Sequence, residues 1–291
     1  MLGYVCKYTP MELFEAMDTE ITRLEPSVTD FNHADTLMHA NICSYTKAVL
    51  EDVMEHDYEG VILTTCCDSI RRLYDTLKSQ FPDKFFFLLD IPRKFNDFAV
   101  ALYERQLKQM LTEYEAFSGK TLDLKRFVSM MQNKAALKKQ ENTRMSASAV
   151  SEKGNGQKLN IGIMGARCNN EIRQLLVDRG ANLLFDLTCT GLARDFSITE
   201  DQILHSYAAA LLNQIPCMRM LKAANREHFP DGFTDRLDGI IYHTVKFCDS
   251  YSYEYADFRQ RLDLPILLVE TDSTRQCAGQ VRTVWKPLWK N

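Results

Sequence analysis

The sequence predicts an α/β protein whose two similar halves each contain a parallel sheet. Three observations predict this class. Buried strands alternate with helices, a strand–helix–strand unit opens the second half, and one passage of the first half recurs in the second. A chain of 291 residues is also long enough to form two domains of ordinary size, each with its own core.

The first half alternates helical and strand patterns along its length. Apolar residues at helical spacing predict helices, and short continuous apolar runs predict strands that are buried on both faces. The predicted elements are helices at 11–17, 48–55, 69–80, 97–117 and 122–140, and strands at 61–65 and 85–89. Residues 1–140 are therefore expected to form an α/β domain with a helical extension.

A polar segment separates this half from the next. Residues 141–158 are polar and small, a composition typical of a linker. The second domain, residues 159–291, is expected to begin with a strand at 160–165 that ends in a glycine turn. A helix at 170–179 and a strand at 182–186 complete a βαβ unit, which requires parallel strands.

Composition excludes several classes of partner. The formal charge of −4 gives no general attraction to polyanions, so nucleic acid is not an expected partner. No apolar run approaches the roughly 20 residues that a membrane-spanning helix needs, and the first residues lack the pattern of a secretion signal. We therefore expect a cytoplasmic protein with no membrane contact. In that compartment nine cysteines favour free thiols or metal ligands over disulfides.

Cys67 and Cys248 occupy matching places in a passage that occurs twice, at 59–90 and 238–270. In both copies an acid–Gly–apolar run leads to a Cys-Asp-Ser triplet, which a helix and a further strand follow. Ligands of open α/β sheets bind beyond the carboxyl ends of the strands. If the two halves are related by pseudo-symmetry, these two cysteines face each other across a cleft.

A third thiol, Cys43, precedes the first copy by the length of one helix, and Cys217 holds a comparable place in the second half. Thiolates dominate the ligation of iron-sulfur centres, whereas structural zinc sites usually show Cys-x-x-Cys pairs. The sequence has no such pair. An iron-sulfur centre is the hypothesis, and buried apolar thiols are the alternative.

The remaining cysteines receive other interpretations. Cys66 is expected to point away from Cys67 into a core, because neighbouring side chains of an extended chain point to opposite sides. Cys189 lies near the expected cleft, like Cys217, but neither is included among the ligands. The cysteines interpreted as structural are Cys6, Cys168 and Cys277.

Two other residues are candidates for proton transfer. His39 is a general acid or hydrogen-bond donor in one interpretation, and a structural group before a helix in the other. Glu270, like Asp90 of the matching strand, could act on protons, although a carboxylate at a strand end usually caps the next helix.

Taken together, nine short motifs resemble the 2-hydroxyacyl-CoA dehydratase family, which includes benzoyl-CoA reductase subunits and double-cubane cluster proteins. Each motif is weak alone, but their order along nearly the whole chain is specific. The motifs are GYVCKYTP at 3–10, HANICSY at 39–45, TCCDSIRRLYD at 65–75, LDIP at 89–92, CTGLARDF at 189–196, PC at 216–217, DGII at 238–241, KFCD at 246–249 and LPILLVETD at 264–272.

The resemblance implies two Rossmann-like (flavodoxin-like) domains with parallel sheets and a 4Fe-4S cluster in the cleft between them. Carried over by position, it implies that Cys43, Cys67 and Cys248 are the cluster ligands. It further implies a lyase that eliminates water from an (R)-2-hydroxyacyl-CoA. In that reaction one low-potential electron gives a ketyl radical anion, hydroxide leaves, and the electron is recovered.

The resemblance also implies partners. These are a homologous second subunit or a second copy of the chain, an ATP-hydrolysing iron-sulfur activator, and the acyl-CoA substrate. Two alternatives stay open: a double-cubane type reductase of small molecules, and a non-catalytic partner subunit with the same fold. The motifs do not decide the acyl group or the presence of a flavin.

Overall fold

The computed structural model describes residues 1–148, 159–168, 170–191, 196–214, 217–220 and 236–276. Its described part contains two four-stranded parallel sheets, one in each half of the chain. The elements of the first half are β1 (Leu2–Tyr4), α1 (Met11–Ala16), β2 (Ile21–Arg23), α2 (Asn32–Leu37), α3 (Ser44–Glu55), β3 (Gly60–Thr64), α4 (Asp68–Gln80), β4 (Phe85–Leu89), α5 (Asp97–Ser118) and α6 (Leu124–Ser148).

Among the described residues, the second half repeats the arrangement with fewer helices. Its elements are β5 (Asn160–Gly165), α7 (Asn170–Asp178), β6 (Asn182–Thr188), α8 (Ile203–Leu212), β7 (Gly239–Val245), α9 (Asp249–Arg261) and β8 (Ile266–Thr271), with a short 3₁₀ turn at Glu200–Gln202 before α8. The strand order is β2-β1-β3-β4 in the first sheet and β6-β5-β7-β8 in the second. Both sheets therefore share the 2-1-3-4 order of doubly wound folds, and the predicted fold class is confirmed.

Strand residues alternate between two apolar layers, as the pleat requires. In β3, Ile62 packs with α1, α5 and α6 on one face, while Val61 and Leu63 pack with α3 and α4 on the other. In β7, Tyr242 points into the layer that contains Val61 and Leu63. One apolar layer therefore lies between the two sheets, and it contains α3, α4 and α9.

One helix of the second half packs against the first sheet. Helix α8 belongs to the second half, but Tyr207 and Leu211 pack in the apolar cluster of the first sheet, beside α5. The Tyr207 hydroxyl donates a 2.5 Å hydrogen bond to buried Glu12 of α1. Helix α8 is thereby held against the first sheet.

The linker region differs from the sequence-based boundary. Helix α6 continues to Ser148, so residues 141–148 of the predicted linker are helical. A helix can continue here because the stretch contains no proline or glycine before Gly154. The rest of the predicted linker lies outside the described residues.

Candidate functional site

A cavity lies where the carboxyl ends of the two sheets meet. It holds about 800 Å³ of space between protein atoms, its opening to solvent included. Seven of the residues that line it are cysteines: Cys6, Cys43, Cys66, Cys67, Cys189, Cys217 and Cys248. They are free thiols from both halves of the chain.

The three cysteines predicted as ligands occupy equivalent local positions. Cys43, Cys67 and Cys248 are the residues immediately before α3, α4 and α9. A helix N-terminus carries partial positive charge and unpaired N–H groups, so it favours a thiolate. Three such N-termini therefore converge on the cavity that these thiols line.

Cys43 and Cys248 are in direct contact across the two halves. The Cys248 thiol donates a hydrogen bond to the Cys43 sulfur; this bond is the main cause that lowers the pKa of Cys43 to about 7. The same bond, with burial, raises the pKa of Cys248. Two of the predicted ligands are thus paired in the structure.

Ser44 explains how Cys43 reaches Cys248. The Ser44 backbone N–H and its hydroxyl both donate to the Lys246 carbonyl, at 3.1 and 2.8 Å. Phe247 lies between Lys246 and Cys248 in the sequence. It adopts a φ of 64°, which is uncommon for a residue with a bulky side chain, and it turns the chain toward Cys248. The start of α3 is therefore fixed to the loop that follows β7.

Cys66 packs against the apolar layer between the sheets, as expected, but it does not point away from Cys67. It lines the same cavity as Cys67 and hydrogen-bonds with the Cys67 thiol, which together with burial raises the pKa of Cys66 well above its usual value. Strand β3 ends at Thr64, so strand alternation does not extend to this pair. Both residues lie in the turn before α4 and can point the same way.

Cys6, Cys189 and Cys217 also line the cavity, although Cys6 was interpreted as structural. Burial raises the pKa of Cys6 and of Cys189 to about 11, which favours the neutral thiol at both positions. Cys168 packs instead in the outer apolar cluster of the second sheet, as expected of a structural thiol. Cys277 lies outside the described residues.

The cavity wall carries positive charge. Lys7, Arg167 and Arg219 line it, and no described aspartate or glutamate does. The Arg167 guanidinium stacks on the Tyr45 ring at 3.9 Å from its centroid and donates to the Leu24 carbonyl at 3.1 Å. Such a wall favours anionic contents, including thiolates.

The two candidates for proton transfer lie elsewhere. His39 and Glu270 are exposed, and neither is among the residues that line the cavity. His39 Nδ1 accepts a 3.1 Å hydrogen bond from the Asn41 backbone N–H, which is a local turn contact. The structure does not bring these residues to the thiols.

The cysteines that line the cavity are the sulfur donors available to a cofactor there. No group of three His, Cys, Asp or Glu side chains in the described part of the chain is arranged to hold one metal ion. In an iron-sulfur cluster each iron takes its own thiolate, so the ligands surround a space instead of sharing an ion. The thiols of Cys43, Cys67 and Cys248, which line one cavity, are compatible with that arrangement.

The sequence analysis did not identify Lys7, Arg167 and Arg219 as residues of the site. It also did not predict that seven cysteines line the cavity. Arg167 follows β5 as Cys6 follows β1, because β1 and β5 hold the same place in their sheets. Because ligands of open α/β sheets bind beyond the carboxyl ends of the strands, the sequence could have identified both residues as candidates. Arg219 has no comparable signal, since its place depends on the packing of α8 against the first sheet.

The match of the sequence to a known protein family agrees with the fold. A family model described as 2-hydroxyglutaryl-CoA dehydratase, D-component, matches residues 6–153 and again 128–284. No curated protein matches the chain. In the described residues, no helix has both the length and the apolar character needed to cross a membrane. The two family matches cover almost the entire chain, which therefore belongs to the 2-hydroxyglutaryl-CoA dehydratase D-component family.

Proposed function

We propose that this chain is the iron-sulfur subunit of a 2-hydroxyacyl-CoA dehydratase, with a 4Fe-4S cluster on Cys43, Cys67 and Cys248. The observation that carries the proposal is that these three thiols, each preceding a helix, line one cavity between the sheets. Membership of the dehydratase family supplies the reaction class. When bound, the cluster supplies one-electron chemistry at low potential.

The protein's own residues prepare that chemistry. The N-termini of α3, α4 and α9 and the cavity cations stabilise negative charge on the thiolates and on a substrate carbonyl oxygen. The apolar side chains of Val5, Ile70 and Val245 line the same cavity and limit the access of water. Anionic chemistry can therefore proceed in a positively charged space with limited access to water.

The family description implies a dehydratase of more than one component. We propose that the chain works with a homologous second subunit or a second copy of itself, and that an ATP-dependent activator delivers the electron. The substrate class is an (R)-2-hydroxyacyl-CoA. A cytoplasmic location is consistent with the need for an oxygen-poor, reducing compartment.

A second candidate function rests on the other thiols. Cys6, Cys66, Cys189 and Cys217 share the cavity with the three proposed ligands, so the wall holds enough sulfur for a larger centre. This observation favours a double-cubane type reductase of small molecules. Iron analysis separates the two candidates, because a double cubane holds twice as many irons as a single cubane.

The test is activity with the electron source controlled. Anaerobic protein, combined with its partner subunit and reduced activator, should convert 2-hydroxyacyl-CoA esters to the unsaturated esters, and a Cys67→Ser variant should not. Iron-containing wild-type protein that reduces small molecules without CoA thioesters would favour the second candidate. Iron-free protein that still supports a catalytic partner would indicate a non-catalytic subunit.

A further inference from the structure

The acyl chain of the substrate is confined to the cavity that the thiols line. In the proposed reaction, the thioester carbonyl and the carbon that loses hydroxide lie beside the cluster on Cys43, Cys67 and Cys248. The rest of the acyl group begins at the next carbon, one bond away. Its chemistry must therefore suit the side chains that form the cavity wall.

Most of the surface that a ligand can touch in the cavity is apolar. Val5, Ile70, Met218 and Val245 contribute apolar side chains to it, and these residues come from both halves of the chain. Contact between such a wall and a hydrocarbon chain removes apolar area of both from water, which favours binding.

Arg167 lines the cavity, but its guanidinium group is held by partners within the protein. Nη1 donates to the Leu24 carbonyl at 3.1 Å, and Nη2 donates to the Val5 carbonyl. Glu25 Oε1 lies 3.7 Å from Nη1, and one face of the group stacks on the Tyr45 ring. Both terminal nitrogens are therefore already hydrogen-bonded to the wall.

The other two cations of the described wall are also held by the protein. Arg219 Nη2 donates to the Ile91 carbonyl at 2.6 Å, while Nε and Nη1 of the same group expose almost no surface. Lys7 is only 4% exposed, and its ammonium nitrogen lies 5.7 Å from the centre of the Tyr8 ring. These cations are therefore poorly placed to form an ion pair with a ligand.

A carboxylate at the end of the acyl chain is unfavourable against such a wall. An ionised carboxylate that leaves water loses its hydrogen bonds, and burial is favourable only where donors or charged partners replace them. The positive field of the cavity attracts an anion, but a field alone does not replace those bonds. An apolar acyl chain has no bonds to lose.

We infer that the substrate of this chain has an apolar acyl group, and that an acyl group with a second carboxylate is discriminated against. The inference rests on the proposed function and narrows its substrate class. The family description names 2-hydroxyglutaryl-CoA, whose acyl chain ends in a second carboxylate. The cavity wall of this chain favours a different member of the same class of thioesters.

The test compares two thioesters of the same shape. 4-Methylpentanoyl-CoA and succinyl-CoA differ only in the terminal group of the acyl chain, which is isopropyl in the first and carboxylate in the second. Neither carries a 2-hydroxyl group, so neither can lose water. Their affinities are measured by calorimetry on the anaerobic, cluster-containing protein with its partner subunit.

The wild-type protein is expected to bind 4-methylpentanoyl-CoA at least about tenfold more tightly than succinyl-CoA. The same order is expected in turnover. The kcat/KM for 2-hydroxy-4-methylpentanoyl-CoA should exceed that for 2-hydroxyglutaryl-CoA, because the two substrates share the reacting carbons and differ in the rest of the acyl chain.

Met218→Lys adds an ammonium group to the cavity wall at nearly constant side-chain length. It should bind succinyl-CoA more tightly and 4-methylpentanoyl-CoA less tightly than wild type, so that the preference falls at least about tenfold. Met130→Lys is the matched control, since Met130 is also partly buried but packs in the other apolar layer of the first sheet and does not line the cavity. Its preference should match wild type.

Equal or tighter binding of succinyl-CoA by the wild-type protein would overturn the inference alone, and so would an unchanged preference in folded Met218→Lys. The wild-type comparison decides the matter even where Met218→Lys does not fold. Wild-type protein that holds no cluster, or that binds neither thioester, would instead overturn the proposed function and this inference with it.

Discussion

At the scale of single residues, the cavity thiols and the buried thiol of the outer cluster should behave differently. Replacing Cys248 with Ser should reduce iron from about four per chain to nearly none, because a hydroxyl is a poor ligand for an iron-sulfur cluster. Cys168→Ala is the matched control, since Cys168 is fully buried but packs away from the cavity. Equal iron loss in both variants would contradict the ligand assignment.

Gly165 illustrates a backbone requirement next to the site. It ends β5 with a φ of 103°, and a Cβ atom there would lie 2.1 Å from the His243 carbonyl oxygen. Gly165→Ala should therefore lower the free energy of unfolding by more than about 2 kcal/mol. Urea denaturation measures this loss.

Gly119 provides the comparison for Gly165. It also has a positive φ, of 70°, but a Cβ atom there would meet nothing within 4 Å. Gly119→Ala should cost only about 1 kcal/mol, from backbone strain without a clash. Similar losses in the two variants would show that the close approach of β5 and β7 is not required.

His243 predicts a pH dependence of stability. Burial lowers the pKa of this histidine from 6.5 to about 4, and its Nε2 lies 3.0 Å from the Thr271 hydroxyl. The folded protein therefore holds the neutral imidazole, whereas the unfolded chain protonates near pH 6.5. This contribution to stability is complete above pH 6.5 and is lost as the pH falls toward 4.

The contribution of His243 to the free energy of unfolding that is lost between pH 6.5 and pH 4 is on the order of 3 kcal/mol. Unfolding free energies measured from pH 7 to pH 4 should fall less steeply in His243→Gln than in wild type. The carboxyl groups titrate in both proteins, so the difference between the two slopes isolates the histidine. Parallel slopes would mean that the pKa of His243 is the same in the folded and the unfolded protein.

At the scale of elements, the start of α3 is the contact that brings the two halves of the site together. Ser44→Ala removes the 2.8 Å hydroxyl bond to the Lys246 carbonyl and leaves the backbone bond in place. The free energy of unfolding should fall by about 1 kcal/mol. The cluster should be released to a chelator faster than in wild type.

Ser118 offers a matched control for Ser44. Its hydroxyl also donates a 2.8 Å bond to a carbonyl, that of Tyr114, but within α5 and away from the cavity. Ser118→Ala should release iron at the wild-type rate. Equal rates of iron release in wild type, Ser44→Ala and Ser118→Ala would mean that the hydrogen bond from Ser44 to Lys246 does not hold the site together.

Elements could be predicted wherever their own residues carry the pattern. The apolar runs that form β3 and β4 are continuous, and the predicted strands agree with the observed ones within one residue. Strands β1 and β2 have only three residues each, too few to show a period. Their place is set by pairing with neighbours, which sequence patterns do not contain.

At the scale of the whole molecule, the internal repeat had the most predictive value. Cys67 and Cys248 follow the third strand of sheets with identical order, so their equivalence could be recognised from the passage that occurs twice in the sequence. The contact of Arg219 with Ile91 joins residues 128 positions apart and depends on how α8 crosses to the first sheet. Such a contact has no local signal.

The central claim is that thiols from both halves of the chain hold one inorganic centre. Iron and acid-labile sulfide analysis of anaerobically purified wild-type protein, with an electron paramagnetic resonance spectrum after reduction, tests it most directly. The account predicts about four irons and four sulfides per chain and the signal of a reduced 4Fe-4S cluster. Colourless protein without iron or sulfide, with all of its thiols reduced, would contradict it.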